Sequence, residues 1–147
     1  MTLGTIRPYR FDRAIDTVLA SLRPGDEVVW QLGATDRDRL PGRTYTEMSH
    51  ADLTREIAAA DVVVTHAGVG SVLQAHEAGK VPVLAVRSAS QNEHIDDHQR
   101  EIAHDLITRG LALPLTLGEP NENVFDHARE LHIISTGENA RNGQTCP

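Results

Sequence analysis

Two hydrophobic spacings alternate along the chain and predict helices that alternate with strands. Apolar residues that recur every three or four positions, as in Phe11–Leu22, are typical of an amphipathic helix. Runs of consecutive apolar residues are typical of strands covered on both faces. Such runs occur within the segments Asp61–Thr65 and Val81–Val86. The predicted strands are Met1–Leu3, Glu27–Leu32, Thr44–Glu47, Asp61–Thr65, Val81–Val86 and Leu111–Leu115. The predicted helices are Phe11–Leu22, a segment from Ser49 to about Ala60, one from Ser71 to Gly79, Ile95–Thr108, and a short one marked by Val124, Ala128 and Leu131.

This alternation predicts an α/β fold, a Rossmann-like parallel sheet with helices on both faces. We expect residues 1–117 to form that domain and residues 118–147 to add a C-terminal helix and a polar tail. Parallel sheets bind ligands beyond the carboxyl ends of their strands. The candidate site therefore lies among the loops that follow the strands, which are Gly4–Arg10, Gly33–Gly42, His66–Ser71 and Arg87–Glu93.

Composition and charge narrow the function classes. A chain of 147 residues with 39% hydrophobic residues fits one domain. The net charge is −7 and no stretch is strongly basic, which disfavours nucleic acid and an anionic membrane surface as partners. The single cysteine, Cys146, permits no internal disulfide and favours a reducing, cytoplasmic location. No apolar run approaches the roughly 20 residues that span a bilayer, and the first residues lack a signal-peptide pattern.

The turn His66–Ser71 is the strongest local candidate for ligand binding. It connects a predicted buried strand to a helix start, where free N–H groups and the helix dipole favour an anion. Gly68 and Gly70 allow the backbone to approach that anion closely, and Ser71 adds a hydroxyl donor. A tight strand–helix turn without any ligand explains the same residues equally well.

Two familiar nucleotide motifs do not fit this turn. Leu73 stands where a dinucleotide fingerprint needs its third glycine. Gln74 and Val81 stand where a Walker loop needs glycine and serine or threonine. Arg87 follows a predicted buried strand, so it either faces a phosphate or is a solvated loop residue.

A cluster of histidines and aspartates precedes the predicted fourth helix. His94 and His98 share a helix face and, with Asp97, form a candidate metal-ligand set. An ordinary first turn of a helix, with acidic residues that complement the dipole, is the interpretation we favour. In a third interpretation, His98 and Gln99 contact a ligand at the carboxyl edge of the sheet.

Three sequence blocks together resemble the C-terminal domain of glycosyltransferase family 28. They are Thr65–Ser71, Glu77–Pro82 and His94–Gln99, and Met1–Thr5 resembles the family's first strand and Gly-Thr turn. The resemblance covers about Met1–Leu115. Within the family, the chain is most similar to small, separately encoded transferase subunits that act in dolichol-linked saccharide synthesis and in exopolysaccharide synthesis. The resemblance implies the donor-binding half of a GT-B enzyme that uses a UDP-sugar, inverts the anomeric centre and needs no metal or other cofactor.

The resemblance also implies roles for individual residues. Gly68, Val69, Gly70 and Ser71 would hold the diphosphate, whereas Gln74 replaces the glutamate with which the family grips the ribose hydroxyls. An amide binds a hydroxyl more weakly than a carboxylate does, so this departure affects the expected UDP preference. His98 and Gln99 would contact the donor sugar, and Met48 and Ser49 would lie near the uracil. The implied donor-binding residues are Gly4, Thr5, Met48, Ser49, His66, Gly68, Val69, Gly70, Ser71, Gln74, His98 and Gln99.

The resemblance finally implies that a second chain takes part. In the family the general base lies in the N-terminal half, so a partner subunit at the membrane would supply the base and bind a lipid-linked acceptor. Alternatively, a second copy of this chain in a homodimer would provide the missing side of the substrate cleft. The segment Val124–Ile133 could cross to the other domain. The expected function is a UDP-sugar-dependent hexosyltransferase subunit. A non-catalytic nucleotide-binding subunit and an unrelated metal-dependent α/β enzyme are the alternatives.

Overall fold

The computed structural model describes residues 1–134, and the predicted polar tail from residue 135 onward lies outside the described residues. The helices are α1 (Asp12–Ser21), α2 (His50–Ala59), α3 (Val69–Glu77), α4 (His98–Thr108) and α5 (Glu122–Glu130), with a short 3-10 helix over Ala89–Gln91. The strands are β1 (Val29–Gln31), β2 (Arg43–Tyr45), β3 (Val64–His66), β4 (Val83–Ala85) and β5 (Leu113–Pro114). Among residues 1–134, no helix has both the length and the apolar character needed to cross a membrane.

The strands form one parallel sheet. β1 pairs with β2, and β4 pairs with both β3 and β5, in every case in parallel. Thr2 forms parallel bridges to Gln31 and to Thr65, so the first segment of the chain lies between β1 and β3. The resulting order is β2, β1, the Thr2 segment, β3, β4 and β5.

Alternate residues of the central strands face opposite helical layers. Val83 and Ala85 of β4 belong to the core cluster that includes Ile15 of α1 and Phe125 of α5. Leu84, between them, belongs to the cluster with residues of α3 and α4. Helices therefore cover both faces, which explains why the strand sequence is apolar at consecutive positions. The predicted α/β, Rossmann-like parallel sheet is confirmed.

Two helix starts differ from the sequence-based prediction. α3 begins at Val69, two residues before Ser71, because Gly68 already accepts the first helical hydrogen bond, from Val72 N at 3.2 Å. α4 begins at His98 rather than Ile95, since an Asp96 carboxylate oxygen accepts a hydrogen bond from His98 N at 3.1 Å and closes a separate turn. Ile95 is 73% exposed, so its apolar character does not report a core position.

Candidate functional site

The start of α3 at the carboxyl edge of the sheet is open to solvent. The first N–H groups of an α-helix have no intrahelical partners. The N-cap of α3 is Gly68, which has no side chain that could accept a hydrogen bond from them. Val69 is 54% exposed, and a Cβ placed on Gly70 would meet no atom within 4 Å. Backbone N–H groups and the positive end of the helix dipole therefore face free space, an arrangement that suits an anion.

The imidazole of His66 fills the space beside this turn. A Cβ on Gly4 would lie 2.6 Å from the ring, and a Cβ on Gly68 would lie 2.2 Å from it, so both positions need glycine. Burial, assisted by the positive charge of the nearby Arg87 guanidinium, lowers the pKa of His66 to about 4. His66 is therefore neutral near pH 7 and contributes hydrogen-bonding atoms without charge, and its Nδ1 is buried without a partner among the described residues.

Arg87, which follows β4, has a structural position that neither sequence interpretation anticipated. It is only 2% exposed, and it donates hydrogen bonds to the carbonyl oxygens of Leu3 at 2.8 Å, Tyr9 at 3.2 Å and Glu93 at 2.9 Å. Its guanidinium also lies 4.7 Å from the centre of the Phe11 ring. Arg87 thus joins the loops after the first segment and after β4, and the solvated-loop interpretation is wrong.

Glu93 fixes the loop between β4 and α4, and the sequence analysis missed this role. The buried carboxylate accepts two hydrogen bonds of 2.8 Å from Arg13 and one of 2.9 Å from Ser88 N. Burial of a carboxylate is costly unless it is paired in this way. No local sequence signal marks the pairing, because Arg13 lies on α1, far along the chain.

The candidate metal ligands are engaged separately. An Asp97 carboxylate oxygen accepts a hydrogen bond from Ala89 N at 3.0 Å, while His94 Nδ1 lies 3.2 Å from Asp96 N. His98 is exposed at the first position of α4. Within residues 1–134, no group of three or more histidine, cysteine, aspartate or glutamate side chains is placed to hold a metal ion. The alternative of a metal-dependent enzyme that uses His94, Asp97 and His98 therefore has no support in the described part of the chain.

The predicted uracil-side residues lie at the start of α2. Ser49 is the N-cap of this helix, and its hydroxyl accepts a hydrogen bond from Asp52 N at 3.1 Å. Met48 N donates to Gln31 Oε1 at 2.8 Å, which ties the segment to the end of β1. Gln74, on α3, faces α2. The start of α2 thus lies beside the open start of α3.

The remaining predicted site residues follow other strands at the same edge. Gly4 contacts the His66 ring, and Thr5 is exposed directly after it. Gln99 lies in the first turn of α4, and its Oε1 is buried without a partner among the described residues. The structure thus brings Gly4, His66 and Gly68 into contact and places His98 and Gln99 at a separate helix start.

A parallel sheet with a glycine turn and an open helix start at its carboxyl edge is typical of an α/β protein that binds phosphate groups. The chain belongs to glycosyltransferase family 28: the profile of the family's C-terminal domain matches residues 11–114. The resemblance found from the sequence blocks is confirmed.

Individual relatives agree with this assignment. The chain is 41% identical to the UDP-N-acetylglucosamine transferase subunit ALG13 of Yarrowia lipolytica over 93 residues, which are 63% of this chain and 42% of that protein. It is 32% identical over 113 residues, 71% of the chain, to the UDP-N-acetylglucosamine–N-acetylmuramyl-(pentapeptide) pyrophosphoryl-undecaprenol N-acetylglucosamine transferase of Nitratidesulfovibrio vulgaris. That match spans 30% of the bacterial enzyme, so the chain corresponds to less than half of either relative.

Proposed function

We propose that this chain is the donor-binding half of a UDP-sugar-dependent hexosyltransferase. The observation that carries the proposal is the open start of α3 at Gly68–Ser71, where N–H groups without helical partners meet free space. Family membership and the names of both relatives, which are N-acetylglucosamine transferases, support a nucleotide-sugar as the ligand.

The proposed chemical contribution is stabilisation of the leaving diphosphate. Negative charge develops on this group as its bond to the sugar breaks, and preorganised donors stabilise it best. Backbone N–H groups of Val69, Gly70 and Ser71 would donate to the phosphates, and the Ser71 hydroxyl adds a further donor. Neutral His66, beside Gly68, would offer the diphosphate a hydrogen bond without adding a charged side chain to the donor site.

The other donor contacts are proposed from the family resemblance and from location. Met48 and Ser49 would lie beside the uracil, Gln74 beside the ribose, and His98 with Gln99 beside the sugar. Gly4 and Thr5 would border the diphosphate. Residues 1–117 would form the nucleotide-sugar-binding domain, with α5 as the C-terminal helix that follows it. No metal or organic cofactor takes part in this proposal.

The general base and the acceptor site are assigned to a partner chain. The proposed partner binds a lipid-linked saccharide at the membrane, and this chain would act in the cytoplasm at the membrane's inner face through that partner. The relative from Yarrowia lipolytica is named a transferase subunit, which supports an assembly of this kind. A homodimer that supplies the second wall is the alternative assembly.

Gly70→Val tests the donor site. Because a Cβ on Gly70 meets no protein atom within 4 Å, valine should leave the fold intact while its methyl groups occupy the space of the phosphate. Loss of one hydrogen bond to a charged group lowers affinity about 10-fold or more, so calorimetry with UDP should show at least that loss. Glu77→Val, at the exposed opposite end of α3, is the matched control and should bind UDP normally. Equal UDP affinity in Gly70→Val and the parent would place the site elsewhere.

A further inference from the structure

A hydrogen-bond network joins α2 to α3 beside the open helix start. Gln74 Nε2 lies 3.1 Å from His50 Nδ1 and 3.2 Å from Thr54 Oγ1. The Thr54 hydroxyl in turn donates to the backbone oxygen of His50 at 2.8 Å. The network therefore consists of three side chains and one carbonyl, and each of its distances is that of a hydrogen bond.

The chemistry of this network determines which way the Gln74 amide points. Thr54 has a single hydroxyl hydrogen, and the His50 carbonyl oxygen receives it, so Thr54 Oγ1 has only lone pairs to offer Gln74. The atom of Gln74 that faces Thr54 must then be the NH₂ donor and not the carbonyl oxygen. His50 Nδ1 accepts the second hydrogen of the same NH₂ group, which places the ring proton on Nε2.

With both of its hydrogens used, the Gln74 amide has only its carbonyl oxygen to offer a ligand. Gln74 Oε1 makes no hydrogen bond within the described residues and is not among their buried unpaired atoms, so solvent reaches it. Gly70 and Gln74 are four residues apart on α3 and share a helix face, about 6 Å apart along the axis. Helical side chains lean toward the N-terminus, which brings Oε1 nearer to the open helix start.

We propose that His50 and Thr54 are positioning residues that hold Gln74 as an obligate hydrogen-bond acceptor for the ribose hydroxyls of the donor. This inference rests on the proposed function, because it requires the donor's diphosphate at Gly68–Ser71. A hydroxyl group close to that diphosphate can donate to Oε1, whereas a ligand group that only accepts finds no partner on Gln74. The amide thus reproduces the acceptor character of a carboxylate without its charge.

The test compares UDP with 2′,3′-dideoxy-UDP by calorimetry in matched variants. The wild-type chain should prefer UDP by about 5- to 10-fold, the range expected for one or two neutral hydrogen bonds. Thr54→Val combined with His50→Phe removes both acceptors, lets the amide rotate, and should reduce the preference to about 2-fold or less. Thr54→Ser retains the hydroxyl and should keep the full preference. Both positions are exposed on α2, so the variants are expected to fold.

A second measurement separates failure of this inference from failure of the proposed function. In the ligand-free chain, the side-chain NH₂ signals of Gln74 in a ¹⁵N–¹H spectrum should shift in the His50→Phe, Thr54→Val double variant and remain in place in Thr54→Ser. Unchanged signals, or an undiminished UDP preference in the double variant, would overturn the positioning role. Absence of UDP binding by the wild-type chain would instead contradict the proposed function, while the NH₂ signals would still decide whether His50 and Thr54 hold Gln74.

Discussion

His66 shows how a single side chain shapes the turn around it. Its imidazole occupies the space where Gly4 and Gly68 would carry Cβ atoms, so two glycines that are far apart in sequence have one common cause. No contact within the described residues requires glycine at position 70, because a Cβ there would meet no atom within 4 Å, so only the proposed diphosphate would exclude a side chain. The sequence analysis treated Gly68 and Gly70 alike as phosphate-approach positions, since the contact of Gly68 with His66 depends on the ring's orientation in three dimensions.

The buried imidazole predicts a pH dependence of folding stability. The pKa of His66 falls from its ordinary 6.5 to about 4 on folding. Between these values the unfolded chain binds a proton that the folded chain does not, so stability is greatest above pH 6.5 and decreases as the pH falls toward 4. The loss attributable to this residue is up to about 3 kcal/mol. Urea unfolding of the parent and of His66→Asn across this range measures it, and parallel pH profiles for the two proteins would refute the assignment.

Elements are connected at the carboxyl edge through buried charged groups, among them Arg87, which donates three hydrogen bonds to backbone carbonyl oxygens. Arg87→Met would leave the carbonyl oxygens of Leu3, Tyr9 and Glu93 without their donor. A buried group left unpaired costs about 1–3 kcal/mol, so we expect a total destabilisation of about 3 kcal/mol or more in urea unfolding. Arg100→Met, at an exposed position of α4, is the control and should change stability by less than about 0.5 kcal/mol. Equal stabilities for both variants would contradict the structural role.

The elements themselves were largely predictable from the sequence, because hydrophobic spacing reports burial locally. The helix after Ser49 and the doubly covered strand within Val81–Val86 are found where the pattern predicts them. The start of α4 was misplaced, since exposed Ile95 imitates a core residue. Arg87 and Glu93 could not be assigned, because Arg87 bonds a carbonyl 84 residues away and such contacts leave no periodic signal.

At the scale of the whole molecule, the proposed function makes the described residues one side of a cleft between donor and acceptor. One parallel sheet places the open start of α3 and the start of α4 at a single edge. Transfer of a sugar requires an acceptor hydroxyl and a base held opposite the donor. Correct placement of two reactants can supply roughly 7–11 kcal/mol of the barrier, and one side of a cleft cannot provide that placement.

We therefore expect the 147-residue chain to bind UDP but to transfer sugar negligibly by itself. Single-turnover assays with labelled UDP-sugars and a lipid-linked acceptor, with and without membranes that contain a candidate partner, measure this directly. A gain of several orders of magnitude on addition of the partner is the expected result, because the base and the acceptor then meet the bound donor. The Gly70→Val variant is the control, since its weakened donor binding should lower transfer in the presence of the partner by about 10-fold or more at subsaturating donor. Sedimentation of the same sample distinguishes a homodimer, whose activity would depend on chain concentration, from a monomer. Fast transfer by the monomer alone would show that this chain carries its own base, and the two-chain proposal would then be wrong.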